Sequence, residues 1–224
     1  PGPRAVGDLR KAGIKVIPVV PTVRHALRLE AEGADAIVAS GSEAGGHVGG
    51  VATLPLVTMV VDAVKIPVIA AGGIGDARGF LSALAMGAVG AQLGTRLICT
   101  EESNGGNWYA NQIIATREED TIVSKSLTGK TTRAFATPEI RAFEEARTSG
   151  ADADELKRLQ RIVRQGRHQD EDYMGQHQAV VGQIAGMLND PSVIRPAGDV
   201  IRDMIQEAAA IASNLSALAT KEAS

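Results

Sequence analysis

The sequence predicts an α/β fold built on a parallel sheet, and three features of the first half of the chain predict it. Short apolar runs alternate with helical stretches, at about 25 to 30 residues for each strand–helix unit. The apolar runs are nearly continuous and do not alternate with polar residues, as expected of parallel strands that are buried on both faces. Glycines follow these runs, where each strand must turn towards a helix.

The strands and helices can be assigned in chain order from this pattern. Four apolar runs are predicted strands: "KVIPVV" (15–20), "ADAIVAS" (34–40), "IPVIAAGG" (66–73) and "AVGAQLGT" (88–95). Three stretches between them have helical character: "TVRHALRLEAEG" (22–33), "LPLVTMVVDAV" (54–64) and "DARGFLSALAMG" (76–87). Strand and helix therefore repeat as βα units.

Four parallel strands fit two architectures, an open doubly wound sheet and part of an eight-stranded (β/α)8 barrel. Near-equal spacing and a glycine-rich loop after every strand favour the barrel, whose active site is built from loops at the carboxyl ends of the strands. Four βα units cannot close such a barrel. We therefore expect this chain to be the C-terminal half, with the N-terminal strands missing upstream of Pro1 or supplied by another chain.

The pattern changes in the second half of the chain. Residues 101–135 are polar and contain two hairpin-like turn cues, "NGGN" and "LTGK". Residues 138–174 are charge-rich and helical in period, with a break at "SGADAD" whose aspartates suit a helix N-cap. The stretch "QAVVGQIAGMLND" (178–190) is also predicted to be a helix.

The last predicted helix, "PAGDVIRDMIQEAAAIASNLSALAT", is amphipathic. Its predicted apolar face consists of Val200, Ile201, Ile205, Ala208, Ile211, Ala212 and Leu215. The sequence thus predicts three regions: βα units over 1–102, a small and mostly helical inserted or lid region over 103–178, and C-terminal helices that pack back on the barrel over 179–224.

Composition excludes several classes of function. The net charge is −3 and aromatic residues make up 3% of the chain, so a basic surface and stacking side chains for nucleic acid are both lacking. No run reaches the roughly 18 apolar residues that a membrane span requires. The single cysteine, Cys99, lies in the apolar run "RLICT" and is predicted to be buried. We expect no nucleic-acid partner, no membrane partner and a cytoplasmic location.

Two glycine-containing turns form the first constellation that could carry chemistry. "AAGGIGD" (70–76) follows a strand and opens a helix, so backbone N–H groups and the positive end of the helix could hold a phosphate. "AQLGT" (91–95) repeats the design with a threonine hydroxyl. In (β/α)8 barrels the loops after the seventh and eighth strands form a recurrent phosphate site. The dinucleotide fingerprint GxGxxG is absent.

His47, in "SGSEAGGHVGG", is the candidate for proton transfer. It follows the strand before the two phosphate turns and is surrounded by glycines that would let a flat ligand approach the loop. Imidazole is the side chain that exchanges a proton most readily near neutral pH. Glu43 is either a second acid or a carboxylate that orders the loop. No spacing of histidine and cysteine resembles a zinc site, and we expect no metal.

Three stretches together indicate a family. They are "GIKVIPVVPTVRHALRLEAEGADAIVASGSEAGGHVGG", "IPVIAAGGIGDARGFLSALAMGAVGAQLGTRLICTEES" and "VVGQIAGM". They resemble the nitronate monooxygenases, formerly called 2-nitropropane dioxygenases, and the related type II enoyl-ACP reductases. The order and spacing of "EAGGH", "AAGGI" and "QLGT" are typical of this superfamily of FMN-dependent barrels and distinguish its branches poorly.

The resemblance implies a TIM barrel with a small inserted domain and non-covalently bound FMN. It assigns the FMN phosphate to Gly72, Gly73, Gln92, Leu93, Gly94 and Thr95, and the loop against the flavin to Ala44, Gly45 and Gly46. It implies that His47 handles a proton beside the flavin ring, in a monooxygenase or in substrate protonation by a reductase.

The resemblance implies an FMN-dependent oxidoreductase, a nitronate monooxygenase that oxidises alkyl nitronates, or neutral nitroalkanes, with O2. The alternative is an FMN-dependent enoyl-ACP reductase of fatty-acid synthesis, for which NAD(P)H would be the co-substrate. A second alternative is an incomplete, non-catalytic barrel fragment. The expected partners are a small-molecule substrate, either a nitronate or an enoyl thioester, and O2, with a homodimer among the oligomeric states left open.

Overall fold

A computed structural model describes residues 4–165 and 179–221 of the chain. The chain divides into two compact units, each with internal packing of its own. The first unit comprises Pro1–Ser42, Gly50–Leu93 and Arg195–Ser224, and the second comprises Glu43–Gly49 and Gly94–Ile194. Along the chain, the second unit is therefore inserted twice into the first.

The described residues contain both α-helices and β-strands throughout. The strands are β1 (Val19–Val20), β2 (Ile37–Ser40), β3 (Gly46–His47), β4 (Val68–Ala71), β5 (Gly90–Gln92), β6 (Thr121–Ser124) and β7 (Thr132–Phe135). The α-helices are α1 (Arg4–Lys11), α2 (Val23–Ala31), α3 (Thr53–Ala63), α4 (Ala77–Ala85), α5 (Thr95–Ile98), α6 (Gly106–Ile114), α7 (Pro138–Thr148), α8 (Ala153–Gln165) and α9 (Ala197–Lys221). Short 3-10 helices cover Glu118–Asp120, Gln183–Met187 and Pro191–Val193.

The first unit contains the predicted parallel sheet, in the order β1-β2-β4-β5. All three strand pairs are parallel, and Ser40 lies opposite Ala71, which in turn lies opposite Gln92. The carboxyl ends of β2, β4 and β5 therefore meet at one edge of the sheet. The predicted α/β class is confirmed, with a sheet of four parallel strands in the described part of the chain.

The predicted strands are present but shorter than the apolar runs that indicated them. The strand predicted over 15–20 is limited to Val19–Val20, because Pro18 and Pro21 flank it and proline has no N–H to donate to a ladder. The three predicted helices are confirmed as α2, α3 and α4. The sequence did not predict α1, since its eight residues include Gly7 and are too few to display a period.

The core of the first unit lies between its sheet and α3. Leu56, Val57 and Val60 of α3 are fully buried and pack in one cluster with Ile37 of β2 and Ala70 of β4. Helix α3 can pack this closely because the chain enters it beside a glycine. A Cβ atom added at Gly41 would lie 2.1 Å from Thr53 Oγ1.

Helix α9 packs against α4 along a narrower stripe than predicted. Met204 and Ala208 are buried in a cluster with Ala77 of α4, and Ile211 packs at its margin. The predicted face also included Ile201, Ile205, Ala212 and Leu215, which are exposed. That part of the prediction was wrong because α4 covers only residues three or four apart on α9, and Met204 takes the central position.

The second unit contains a three-stranded antiparallel sheet in the order β3-β7-β6. The predicted hairpin at "LTGK" is confirmed, since this turn joins β6 to β7 and Gly129 has a φ of +78°. The hairpin predicted at "NGGN" was wrong, because α6 begins at Gly106. Tyr109, Ala110 and Ile113 lie buried at helical spacing in α6, and their packing decides the conformation.

Helices α7 and α8 confirm the predicted helical stretch and its break. Asp152 caps α8, because its Oδ1 accepts hydrogen bonds from the N–H groups of Asp154 at 3.0 Å and Glu155 at 2.9 Å. The end of the predicted stretch, residues 166–174, lies outside the described residues.

The helix predicted over 178–190 was wrong, and residue 178 lies outside the described part. A five-residue 3-10 helix, Gln183–Met187, follows extended residues here, because Gly182 and Gly186 each lie against other backbone. Val181, Ile184 and Ala185 are buried in the core of the second unit. The predicted regions 1–102, 103–178 and 179–224 therefore do not coincide with the two units of the structure.

Candidate active site

The first unit brings four of the predicted binding residues to one edge of its sheet. Gly72 and Gly73 directly follow β4, and both have left-handed backbones, with φ of +95° and +73°. Gln92 ends β5 opposite Ala71, and Leu93 follows it, packed against the apolar core. Gly72, Gly73, Gln92 and Leu93 thus lie at the carboxyl edge, where ligands of parallel α/β proteins bind.

The start of α4 is less open to an anion than the sequence suggested. The Oδ1 atom of Asp76 accepts hydrogen bonds from the N–H groups of Arg78 and Gly79, both at 3.0 Å. A second oxygen of Asp76 accepts from Arg78 Nε at 2.7 Å. A carboxylate of the chain therefore occupies these two N–H groups, which leaves fewer donors for an anion at the helix start itself.

In the second unit, three stretches that are distant in sequence meet at Gly182. Its N–H donates to Thr95 Oγ1 at 2.9 Å, and the N–H of Gln183 donates to the carbonyl of Glu43 at 2.9 Å. The loop that begins at Glu43, the turn at Thr95 and the segment around Gly182 are therefore held together by direct hydrogen bonds. Two predicted site residues, Gly45 of the 43–50 loop and Thr95, therefore both lie beside Gly182.

The glycines of the 43–50 loop and Gly94 differ in what a side chain would meet at each position. A Cβ added at Gly45 would lie 2.8 Å from both Gly182 N and Val181 C, so this glycine admits the chain's own backbone. At Gly46, which has a φ of +87°, an added Cβ would meet no atom within 4 Å. At Gly94 an added Cβ also meets no atom within 4 Å. The Cβ positions of Gly46 and Gly94 are therefore open, whereas that of Gly45 faces the chain's own backbone.

The sequence suggested that His47 lies in an irregular loop, but in the structure it lies on a strand. Together with Gly46 it forms β3, and it pairs with Thr132 of β7 in antiparallel register. Its side chain is exposed, and its Nε2 atom lies 3.0 Å from Thr128 Oγ1. The sheet therefore fixes the backbone of the candidate proton carrier while its imidazole remains accessible.

Arg133 is a charged residue of this unit that the sequence did not single out. It lies opposite Gly46, is 8% exposed and donates from Nη1 to Thr121 Oγ1 at 2.9 Å. Burial lowers the pKa of the Arg133 guanidinium, and the negative charge of Glu43 opposes that shift. Glu43 thus acts on a neighbouring strand, which supports the loop-ordering reading of this carboxylate.

Cys99 is buried, as predicted, and is not poised as a nucleophile. It packs with Tyr109 and Ile113, and burial raises the pKa of its thiol to about 11 against the opposing charge of Arg96. Within residues 4–165 and 179–221, no group of three His, Cys, Asp or Glu side chains could hold a metal ion. No helix of this part combines the length and apolarity needed to cross a membrane.

Residues 1–207 match the model of one protein family, described as nitronate monooxygenase. The chain belongs to the nitronate monooxygenase family. Its homologues are oxidoreductases, and the family is one of flavoproteins. The recognition made from the three sequence stretches is therefore confirmed.

The alignments with curated relatives cover only part of this chain and only part of each relative. A (3aS,4S,5R,7aS)-5-hydroxy-7a-methyl-1-oxo-octahydro-1H-indene-4-carboxyl-CoA dehydrogenase of Rhodococcus jostii (strain RHA1) is 40% identical over 144 residues, which are 64% of this chain and 41% of the relative. A probable nitronate monooxygenase of Staphylococcus aureus (strain JH9) is 43% identical over 143 residues, 59% of this chain and 40% of the relative. The match thus spans about two fifths of each relative's length.

Solved structures match nearly the whole chain. FabK from Thermotoga maritima superposes with a TM-score of 0.80 at 34% identity, over 96% of this chain and 68% of that one. Nitroalkane oxidase from Streptomyces ansochromogenes superposes with a TM-score of 0.77 at 29% identity, over 96% of this chain and 63% of that one. The fold described above is therefore the one that these proteins share.

Proposed function

We propose that this chain carries the flavin-phosphate loops and the proton-handling histidine of an FMN-dependent nitronate monooxygenase. The observation that carries the proposal is the meeting of Gly45, Thr95 and Gly182, because they come from the three stretches that resemble this family. His47 follows Gly45 by two residues and presents an exposed imidazole. The geometry thus supports a site in which a bound group is held by backbone and one side chain moves a proton.

The residues present fit a flavin phosphate. We assign it to Gly72, Gly73, Gln92, Leu93, Gly94 and Thr95. The Thr95 hydroxyl accepts one hydrogen bond, from Gly182, and retains its own proton to donate to a phosphate oxygen. The open space beside Gly94 would let an anion approach the backbone, as a side chain there would not. Ala44, Gly45 and Gly46 would lie against the flavin.

The bound FMN would supply the redox chemistry, accepting electrons from the nitronate and passing them to O2. A nitronate is already an anion, so its oxidation needs no base. A neutral nitroalkane must first lose the proton alpha to the nitro group, and His47 is the base we assign to that step. The hydrogen bond between His47 and Thr128 and the pairing of β3 with β7 would fix the orientation of the imidazole during the proton transfer.

We further propose that the four-stranded sheet is the C-terminal half of a (β/α)8 barrel. Its four parallel strands and the TM-score of 0.80 with FabK support this, as does the position of the glycine turns at the carboxyl edge. O2 as the second substrate and a cytoplasmic location belong to the same proposal.

An enoyl-ACP reductase is the second candidate, and one observation favours it. FabK is an enoyl-ACP reductase, and it matches this chain at 34% identity, above the 29% of the nitroalkane oxidase. Under this reading NAD(P)H would reduce the flavin and His47 would donate a proton to an enoyl thioester. The name of the Rhodococcus relative also specifies a CoA ester, which makes thioesters a substrate class to include in any assay.

Anaerobic reduction of the bound flavin separates the two candidates. The chain is loaded with FMN and mixed in a stopped-flow instrument with an alkyl nitronate, with NADH or with NADPH. We expect the visible absorbance of the oxidised flavin to bleach with the nitronate and not with either nicotinamide nucleotide. Fast bleaching by NADH or NADPH alone would establish the reductase reading instead.

A further inference from the structure

Two threonine hydroxyls of the β6–β7 hairpin connect His47 to a backbone carbonyl. His47 Nε2 lies 3.0 Å from Thr128 Oγ1, which lies 3.2 Å from Thr132 Oγ1. Thr132 is 1% exposed, and its Oγ1 donates to the carbonyl of Lys130 at 2.9 Å. The N–H of Lys130 also donates to Thr128 Oγ1, at 3.2 Å. One hairpin group, Thr128 Oγ1, thus lies at the Nε2 atom of the imidazole, and Thr132 and Lys130 in turn contact Thr128.

The direction of these hydrogen bonds follows from counting protons. A carbonyl oxygen only accepts, so the single hydroxyl proton of Thr132 is used on Lys130. The hydroxyl proton of Thr128 has two acceptors within the hairpin, Thr132 Oγ1 at 3.2 Å and the carbonyl of Lys130 at 3.5 Å. With that proton used inside the hairpin, Thr128 Oγ1 accepts from His47, which places a proton on Nε2. The reverse direction would leave the oxygens of Thr128 and Thr132 facing each other at 3.2 Å without a proton between them.

We propose that Thr128 is a positioning residue that fixes His47 with its proton on Nε2 and leaves Nδ1 as the atom that takes the substrate proton. In that step the C–H bond alpha to the nitro group breaks, its electron pair stays on the substrate as the nitronate, and the proton forms a bond to Nδ1. The imidazolium then carries protons on both nitrogens. The bond from Nε2 to Thr128 persists unchanged, so no hydroxyl has to rotate during the transfer.

The orientation of the ring stands on the hydrogen bonds alone, whereas the role of Nδ1 as acceptor rests on the proposed function. The chain offers matched variants for both. Thr128→Val removes the hydroxyl and keeps the shape of the side chain, and Thr128→Ser keeps the hydroxyl. Thr131→Val makes the same chemical change in the same hairpin, at a side chain that takes no part in the hydroxyl chain.

Long-range 1H–15N NMR of the imidazole nitrogens in the FMN-loaded chain tests the ring orientation, with His47 signals assigned by their loss in His47→Asn. We expect the neutral ring of the wild type to carry its proton on Nε2. In Thr128→Val the ratio of Nε2–H to Nδ1–H forms should fall about fivefold, the effect of one net hydrogen bond. Thr128→Ser should restore the wild-type ratio, and Thr131→Val should leave it unchanged.

Steady-state kinetics then separate the ring orientation of His47 from the role of Nδ1 as the proton acceptor. Thr128→Val should lower kcat for a neutral nitroalkane about fivefold at unchanged KM, and should leave turnover of the nitronate at the wild-type rate. An unchanged ratio in Thr128→Val, or a wild-type ring with its neutral proton on Nδ1, would overturn the proposed orientation even if nitroalkanes are oxidised. A ratio that behaves as expected in a chain that oxidises no nitro compound would leave the orientation standing and remove the proposed function.

Discussion

At the scale of single residues, Gly45 and Gly94 lack side chains for different reasons. Gly45 lies against the backbone of Val181 and Gly182, so its neighbours are part of the same folded unit. Gly94 faces open space, so an added side chain would meet only something that binds there. The first glycine is required by folding, and we assign the second to the cofactor. Substitutions separate these two roles.

Gly45→Ala should destabilise the chain by about 1–3 kcal/mol, because its Cβ would overpack against backbone that cannot move aside locally. The measurement is urea unfolding of the flavin-free protein. Gly50→Ala is the matched control, since an added Cβ there meets no atom within 4 Å. Equal unfolding free energies for the two variants would refute the packing role of Gly45.

Gly94→Val should raise the dissociation constant for FMN at least about tenfold, because the side chain would enter space that we assign to the phosphate. Fluorescence titration of the flavin measures this. Gly90→Val is the control, since Gly90 also faces open space but lies at the amino end of β5, away from the carboxyl edge. The assignment fails if both variants bind FMN as the wild type does.

The sequence could indicate the candidate residues but not their supports. His47 and Thr95 could be predicted because each lies beside glycines in a short stretch, "SGSEAGGHVGG" and "AQLGT". Thr128, Arg133 and Gly182 could not be found in this way, since each contacts the loop from a distant part of the chain. Thr128 is 81 positions from His47, and only the pairing of β3 with β7 brings them together.

At the scale of elements, local period predicted α2, α3 and α4 because each is long enough to bury one face. It failed where tertiary contacts decide, as at the segment 181–188, whose residues are buried around glycines that touch other backbone. Turn chemistry failed at "NGGN", where α6 begins at Gly106 and buries three side chains. Turn chemistry predicted the hairpin at Gly129, because its left-handed backbone is a local requirement.

The cap of α4 makes an element-scale prediction about pH. Burial acts to raise the pKa of Asp76, but the hydrogen bonds from Arg78 and from the N–H of Gly79 outweigh it and lower the pKa below its ordinary value of 3.8. A carboxyl whose pKa is lower in the folded state stabilises the fold above that ordinary value. This contribution is lost as the pH falls below about 4 and through the folded-state pKa.

Asp76→Asn should therefore lose less stability than the wild type when the pH falls from 6 to 3, approximately the window on either side of the carboxyl pKa. Asp76→Ser keeps an N-cap oxygen without a titrating group and should show the same weakened dependence. Urea unfolding at both pH values measures the difference. A full wild-type loss in both variants would show that Asp76 does not contribute.

At the scale of the whole molecule, each unit has its own buried core and carries predicted site residues of its own. The first contains the turns after β4 and β5, and the second contains Thr95 and the strand that carries His47. The central claim is that a histidine on this strand removes a proton beside a flavin. This claim concerns only the removal of the substrate proton. A neutral nitroalkane and its nitronate differ by that proton, so comparing them tests this step alone.

The most direct measurement compares turnover of a neutral nitroalkane and of its nitronate by the FMN-loaded wild type and by His47→Asn. We predict that His47→Asn binds FMN as the wild type does, loses at least about 100-fold in kcat/KM on the neutral nitroalkane, and stays within about threefold on the nitronate. Equal losses on both substrates, or wild-type rates on both, would contradict the assignment of His47 as the base.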